Sequence, residues 1–257
     1  MNNVYIMSAN RSAIGGFGGT LKNHCPVDLG TLVAKEAIAR SGFEANEVEH
    51  AVFGNVIHTE PRDMYVSRVI ALQAGMDKAS AALTVNRLCG SGLQAIVSAS
   101  QIIMLGDASV AMAGGVEVMS NGAHIVQGFR WGSRMGDGQV HDMMLGALHD
   151  PFGHGHMGIT AENISSRYQI SREMQDEFAL TSQKRAYKAI ENGAFKDQIL
   201  PIEIKTRKGI EVFEIDEHPK PETSMETLTG LRTAFKKDGV VTAGNASGIN
   251  DGASALI

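Results

Sequence analysis

Along its first 115 or so residues the chain alternates short β-rich apolar runs with stretches of helical period. Val4–Met7 predicts a strand. Asp28 looks like a cap, and Leu29, Leu32, Val33, Ala37 and Ile38 behind it line one face of a helix. Ala51–Val56 predicts a second strand, and Tyr65–Ala74 a helix with Val66, Val69 and Ile70 facing inward. Leu83–Asn86, Gly92–Leu105 and Ala108–Ala113 continue as strand, helix and strand, the last ending at Gly114 and Gly115. The order βαβαβαβ predicts an α/β fold whose sheet is partly parallel and covered by helices on both faces.

The rhythm breaks after Ser120. Residues 121–160 are loop-like and rich in Gly, His and Met, with the lone Trp131. A long helix is predicted next. Ser171 caps it, Glu173 sits in its first turn, and Phe178, Ala179, Ser182, Ala186, Ala189 and Ile190 keep helical spacing up to Gly193. Ile199–Lys205 and Ile210–Ile215 predict two strands joined at Lys208 and Gly209. Residues 119–249 therefore read as an insertion on the sheet. Ala253–Ile257 opens another buried strand where the sequence stops, which makes a fragment the expectation.

Composition narrows the function classes. The 257 residues are 43% hydrophobic and 20% charged, with a net charge of −5. No basic excess suggests nucleic acid. No uninterrupted run of 18 apolar residues suggests a membrane span. The first residues show no charged segment ahead of an apolar core, so no secretory signal is read. The only cysteines are Cys25 and Cys89. That is no disulfide framework, and it fits a reducing, cytoplasmic setting.

Cys89 carries the candidate chemistry. In TVNRLCGSGLQAI (84–96) it stands between a strand and a helix, beside Gly90 and Gly92. Unpaired N–H groups and the positive dipole end of a helix N-terminus favour a thiolate, and thiolate is the nucleophile. The glycines leave room for an acyl group, and the same N–H groups could stabilise an oxyanion. A small buried cysteine is the competing reading, and on the local pattern alone the two stand level. His149, His154, His156 and Asp150 could bind a metal on paper. No H-x-x-x-H helix or cysteine pair supports that, and no metal is expected. IGGFGG (14–19) lacks the spacing of a phosphate-binding loop.

Four motifs in order decide between these readings. NRLCGSGLQAI, AMAGGVEVMS (111–120), GHMGITAENIS (155–165) and TAGNASGINDGASA (242–255) together resemble the thiolase family of acetyl-CoA acetyltransferases and 3-ketoacyl-CoA thiolases. GNVIHTEPRDMYVSRV and FRWGSRMGDGQVHDMMLGALHDPF look closest to the bacterial β-ketothiolase type. The resemblance implies a thiolase-like fold. Residues 1–118 would be the N-terminal half, 119–249 an inserted loop domain making CoA contacts, and 250–257 the start of that half's last strand. The family's C-terminal half would be missing.

It also implies that Cys89 takes the acyl group in a ping-pong reaction, with CoA and acyl-CoA as substrates and no cofactor. Leu148, His156, Met157, Phe235, Ala243, Ser247 and Gly248 would line the path of CoA. Lys220 would stand near its phosphates, in a loop that departs from the family pattern. The family's catalytic histidine motifs and its second cysteine motif, C-x-G-G, do not occur in the sequence, and Cys25 lies outside any such motif. The chain by itself is therefore expected to be nearly inactive. A homo-oligomer is implied, dimer or tetramer, with residues 130–138 as an assembly arm. The alternative is a truncated, non-catalytic CoA-binding or assembly module.

Overall fold

A computed structural model describes residues 3–257. Its centre is a mixed seven-stranded sheet. Strands β1 (Ala9–Ser12), β2 (Gly15–Gly16), β3 (His50–Gly54), β4 (Ala81–Val85), β5 (Ala111–Val118), β10 (Ile199–Leu200) and β13 (Asn250–Leu256) form it. The order across the sheet is β10-β1-β13-β5-β3-β4, with β2 on β13. β5, β3 and β4 run parallel, whereas β13 is antiparallel to both of its long neighbours, β1 and β5.

Period-two alternation sorts the two faces. Ala51, Phe53, Met112, Val116 and Val118 point into one core, with Val27, Leu29, Val33 and Ala37 of helix α1 (Pro26–Ser41) and Val66 and Ile70 of α2 (Val66–Gln73). Val52, Ala111 and Ala113 point the other way, onto Ala95 and Ala99 of α3 (Ser91–Leu105). Helices thus cover both faces, and small residues let α3 approach its face closely.

Between β5 and β13 the chain leaves the sheet and returns. It forms the pairs β6 (His124–Val126) with β7 (Val140–Asp142), β8 (His149–Asp150) with β9 (Gly155–His156), and β11 (Ile202–Thr206) with β12 (Gly209–Phe213). It also forms helices α4 (Met143–Ala147), α5 (Met157–Tyr168), α6 (Arg172–Glu191) and α7 (Met225–Thr229). One piece of this stretch, β10, joins the sheet edge beside β1.

Several expected boundaries move. The first strand is not Val4–Met7 but Ala9–Ser12. Its partner fixes the place: Ala9 pairs with Leu256 and Arg11 with Ser254 in antiparallel register. The helix expected to start at Asp28 starts at Pro26, with Cys25 at the N-cap and Asp28 in the first turn, where its charge suits the dipole. Gly114 and Gly115 do not end a strand but lie inside β5. A side chain at Gly114 would come 2.5 Å from the Phe53 ring and 2.6 Å from the Ser254 carbonyl oxygen, so only glycine lets the strands and that ring close up. Along α6 the apolar positions do not form a buried face: only Asp176 is buried, and Phe178 is exposed.

Candidate active site

The turn that carries Cys89 is built from the backbone outward. β4 ends at Val85, and Asn86 Oδ1 accepts from the Leu88 N–H at 3.0 Å. Leu88 then takes a left-handed conformation, φ +48°, which is uncommon for a branched side chain. Ser91 locks this bend: its hydroxyl accepts from the Arg87 N–H at 2.8 Å and donates to the Leu88 carbonyl at 2.6 Å. Gly90 is the N-cap of α3, so Cys89 is held one residue outside the helix, and its side chain is exposed. The first-turn N–H groups behind it have no acceptor within the helix. Gly54, at the end of β3, permits the fit. A Cβ there would lie 2.7 Å from Ser91 Cβ and 3.0 Å from the Gly92 nitrogen.

Cys89 opens onto a cavity of about 460 Å³. Leu88, Gly92, Val56, Ile57, Met119 and Leu148 give it largely apolar walls, and Arg11, Glu117, Asn250 and Asp251 add polar groups. Glu117 is the notable one. Its carboxylate accepts from the Ile57 N–H at 2.9 Å, the Val56 N–H at 3.0 Å and Asn55 Nδ2 at 3.1 Å. Those donors favour the charged form, but burial outweighs them and lifts the pKa from 4.5 to about 7, with Asp63 adding repulsion. Asp251 is also buried. Its Oδ1 accepts from the Ser120 N–H at 2.9 Å, and its Oδ2 has no protein partner among the described residues. Arg11 is held by a two-pronged pair with Asp216, at 2.7 and 2.9 Å.

The other expected residues fall into two groups. Leu148, His156, Met157 and Phe235 come together. Leu148 lies on the cavity wall, and its carbonyl accepts from the Met157 N–H at 2.8 Å. The His156 ring stacks on Phe235 with centroids 4.8 Å apart, and it meets His149 edge-on at 5.1 Å. Gly158 has no room for a side chain, because the Phe235 ring occupies that place. His156 Nδ1 accepts from the Gly158 N–H at 3.0 Å and caps α5. The ring is therefore a neutral imidazole with its proton on Nε2. Burial, and secondarily His149, lower its pKa.

Ala243, Ser247 and Gly248 form the second group. They sit exposed on the loop that leads into β13, and none of them lines the cavity. Gly248 packs against the His218 ring. Lys220 sits in a turn whose backbone N–H donates to Gln183 Oε1 at 2.9 Å. Cys25 is half-buried, with its thiol pushed up to about 11 by burial and by Asp28, and Arg62 Nη2 lies 3.1 Å from its sulfur. That thiol is a poor nucleophile. Among the described residues no three His, Cys, Asp or Glu side chains converge on a metal-binding point.

The sequence reading missed Glu117, Asp251 and Arg11. A signal existed for the first: a lone acid in the apolar run AMAGGVEVMS, on the alternate face from Val116 and Val118.

A family model described as "Thiolase, N-terminal domain" matches residues 4–257. The chain belongs to the thiolase family. It is 55% identical to the beta-ketothiolase BktB of Cupriavidus necator over 255 residues, 99% of this chain and 65% of that one. The crystal structure of the Bacillus anthracis acetyl-CoA acetyltransferase superposes with a TM-score of 0.95 at 47% identity, over 100% of this chain and 65% of that chain. Human mitochondrial 3-ketoacyl-CoA thiolase in complex with CoA gives a TM-score of 0.93 at 38% identity, covering 98% and 63%. This thiolase chain spans about two thirds of the length of such relatives. Its fold is the thiolase fold.

Proposed function

We propose that this chain supplies the nucleophile and part of the CoA path of an acyl-CoA acyltransferase. One observation carries the reading: Cys89 stands exposed on a left-handed turn at the start of α3, facing a cavity wide enough for an acyl chain. The named activities of similar proteins, acetyl-CoA acetyltransferase and 3-ketoacyl-CoA thiolase, supply the reaction class. In the degradative direction the Cys89 thiolate attacks the 3-keto carbon. The bond to the neighbouring carbon breaks, that carbon takes a proton, and acetyl-CoA leaves. The thiol of a second CoA then gives up its proton, takes the acyl group and frees Cys89. In the synthetic direction acetyl-CoA loads Cys89 and releases CoA; another acetyl-CoA loses a proton, and its enolate attacks the acyl carbonyl and expels the Cys89 thiolate.

Within this reading Leu148, His156, Met157 and Phe235 form the wall along pantetheine, with Ala243, Ser247 and Gly248 as the loop across from it. A slender arm with two amides suits a channel of small, apolar and hydroxyl-bearing residues. Residues 1–118 and 250–257 act as the catalytic sheet unit, and 119–249 as the CoA-facing insertion. A homo-oligomer of two or four chains in the cytoplasm completes the reading. The exposed Trp131 and Met135 on the 130–138 arm support assembly through that arm.

The test is intact-mass analysis of the whole protein after incubation with acetyl-CoA. One acetyl group mapping to Cys89, and none on Cys89→Ala, is the expected result. Saturable CoA binding without any adduct would replace the enzyme with a CoA-binding module.

A further inference from the structure

Ala243, Ser247 and Gly248 lie on a loop held by two buried acids. Glu162, on α5, is only 4% exposed, yet it meets no cationic side chain within ion-pair distance among the described residues. Its carboxylate is spent on backbone. Oε1 accepts from the Val241 N–H at 2.8 Å and the Val240 N–H at 3.0 Å, and Oε2 also takes the Val240 N–H at 3.0 Å. Gly239 makes room for it, since a side chain there would overlap the Glu162 carboxylate. Asp176, on α6, is fully buried. It pairs with Arg172 at 2.6 Å and accepts from Asn245 Nδ2 at 2.9 Å. Asn245 closes the loop on itself: Nδ2 donates to the Val240 carbonyl at 3.1 Å, and Oδ1 accepts from the Thr242 N–H at 2.8 Å.

We propose that Glu162 and Asp176 are positioning residues, a pair of buried carboxylates that set the shape of the 239–248 loop and so govern affinity for the pantetheine arm of CoA. The proposal rests on the acyl-CoA reading above. α5 ties the His156–Met157 wall to the 239–248 loop. It is capped by His156, it begins with Met157, and one helical stretch later it offers Glu162 to the opposite loop. An apolar clamp would tolerate sliding, whereas a carboxylate on two adjacent N–H groups fixes the register of the backbone it holds. In Glu162→Gln an amide oxygen in the place of Oε1 keeps both N–H groups, but the amide nitrogen then stands in the place of Oε2, facing the Val240 N–H it accepted from.

The test uses the whole protein and three single variants: Glu162→Gln, Asn245→Ala and Gly239→Ala. The last displaces the carboxylate without altering its chemistry, and it keeps the proposal open to refutation should Glu162→Gln fail to fold. Three readouts are taken: hydrogen exchange across 239–248, CoA affinity by calorimetry, and the rate of Cys89 alkylation by iodoacetamide. Each variant is expected to speed exchange in 239–248 and to weaken CoA binding about tenfold or more, with alkylation unchanged. Folded variants with wild-type exchange, or with faster exchange and unaltered CoA affinity, would overturn the proposal. A fall in alkylation equal to the loss of affinity would overturn it too, since that marks general loosening. Failure of the wild-type protein to bind CoA would defeat the acyl-CoA reading instead, whatever the exchange shows.

Discussion

Helices α1 and α3 lie on opposite faces of one sheet and are nearly the same length, 16 and 15 residues. Ten residues of α1 are buried, among them Val27, Leu29, Val33 and Ile38. In α3 only Ser91, Ala95 and Ala99 are. Yet α3 is the more apolar helix: Leu93, Val97, Met104 and Leu105 all stand exposed. By length and composition residues 88–105 would even pass for a membrane span. Ser91, Gln94, Ser98, Ser100 and Gln101 interrupt that stretch, and its buried apolar contacts with the sheet are alanines, Ala95 and Ala99, with Ile96, Ile102 and Ile103 only partly buried beside them. Hydropathy thus measures what a helix could bury, and the partner surface decides what it does bury. α1 holds the sheet together. α3 holds Cys89 at its tip and leaves Leu93, Val97, Met104 and Leu105 exposed.

The largest effect expected is on the α1 side. Leu29 is fully buried in the main core, which α1 shares with β5 and α2. Leu29→Ala should cost about 2–5 kcal/mol, the range for buried leucine truncation. Chemical denaturation read by circular dichroism checks it. A loss no larger than that of an exposed leucine would erase the contrast between the helices.

A second effect separates the two faces of β5. Val116 and Val118 face α1, while Glu117 between them faces the cavity beside α3. Its pKa is raised from 4.5 to about 7, first by burial and then by Asp63. The charged form is the costly one, so this group's contribution is fully present below pH 4.5 and is lost as pH rises through 7. The loss is on the order of 3.5 kcal/mol, at about 1.4 kcal/mol per pKa unit. Wild-type stability should therefore fall between about pH 5 and about pH 8, and Glu117→Gln should flatten that slope. Parallel slopes in denaturation series at the two pH values would refute the assignment.

These contrasts also show what the sequence could reveal. The strand and helix order was legible because period-two and period-3.6 patterns follow directly from side-chain direction. The antiparallel place of β13 between β1 and β5 was not, since a buried strand reads the same in either direction. The strand–helix seam at Cys89 was legible because a β-branched run ends before it and Gly90 and Gly92 follow it. Leu88 at φ +48° was hidden, for nothing in a leucine announces a left-handed backbone. Leu148, His156, Met157 and Phe235 came from the family motifs, and the structure shows them touching. Glu162 and Asp176 look like ordinary helix-surface acids in sequence. Only the loop folded over them, from far along the chain, makes them buried anchors.

The smallest effect is the sharpest check on the opening contrast. Leu93 sits in the first turn of α3 and is 69% exposed. Leu93→Ala deletes the same atoms as Leu29→Ala but should change the stability of this chain by less than about 0.5 kcal/mol, as exposed substitutions do. Alanine's better helix propensity offsets part of even that. The measurement is the same denaturation experiment, on residues 1–257 and on a full-length protein of the family side by side. A near-zero effect in the chain together with a cost of about 2 kcal/mol or more in the longer protein would mean that a further surface covers α3 there. Near-zero in both would mean the face is open to solvent, and its apolar character would then need a different partner. A large cost in the chain alone would show that Leu93 is packed here, and that the exposed face of α3 is not what its side chains suggest.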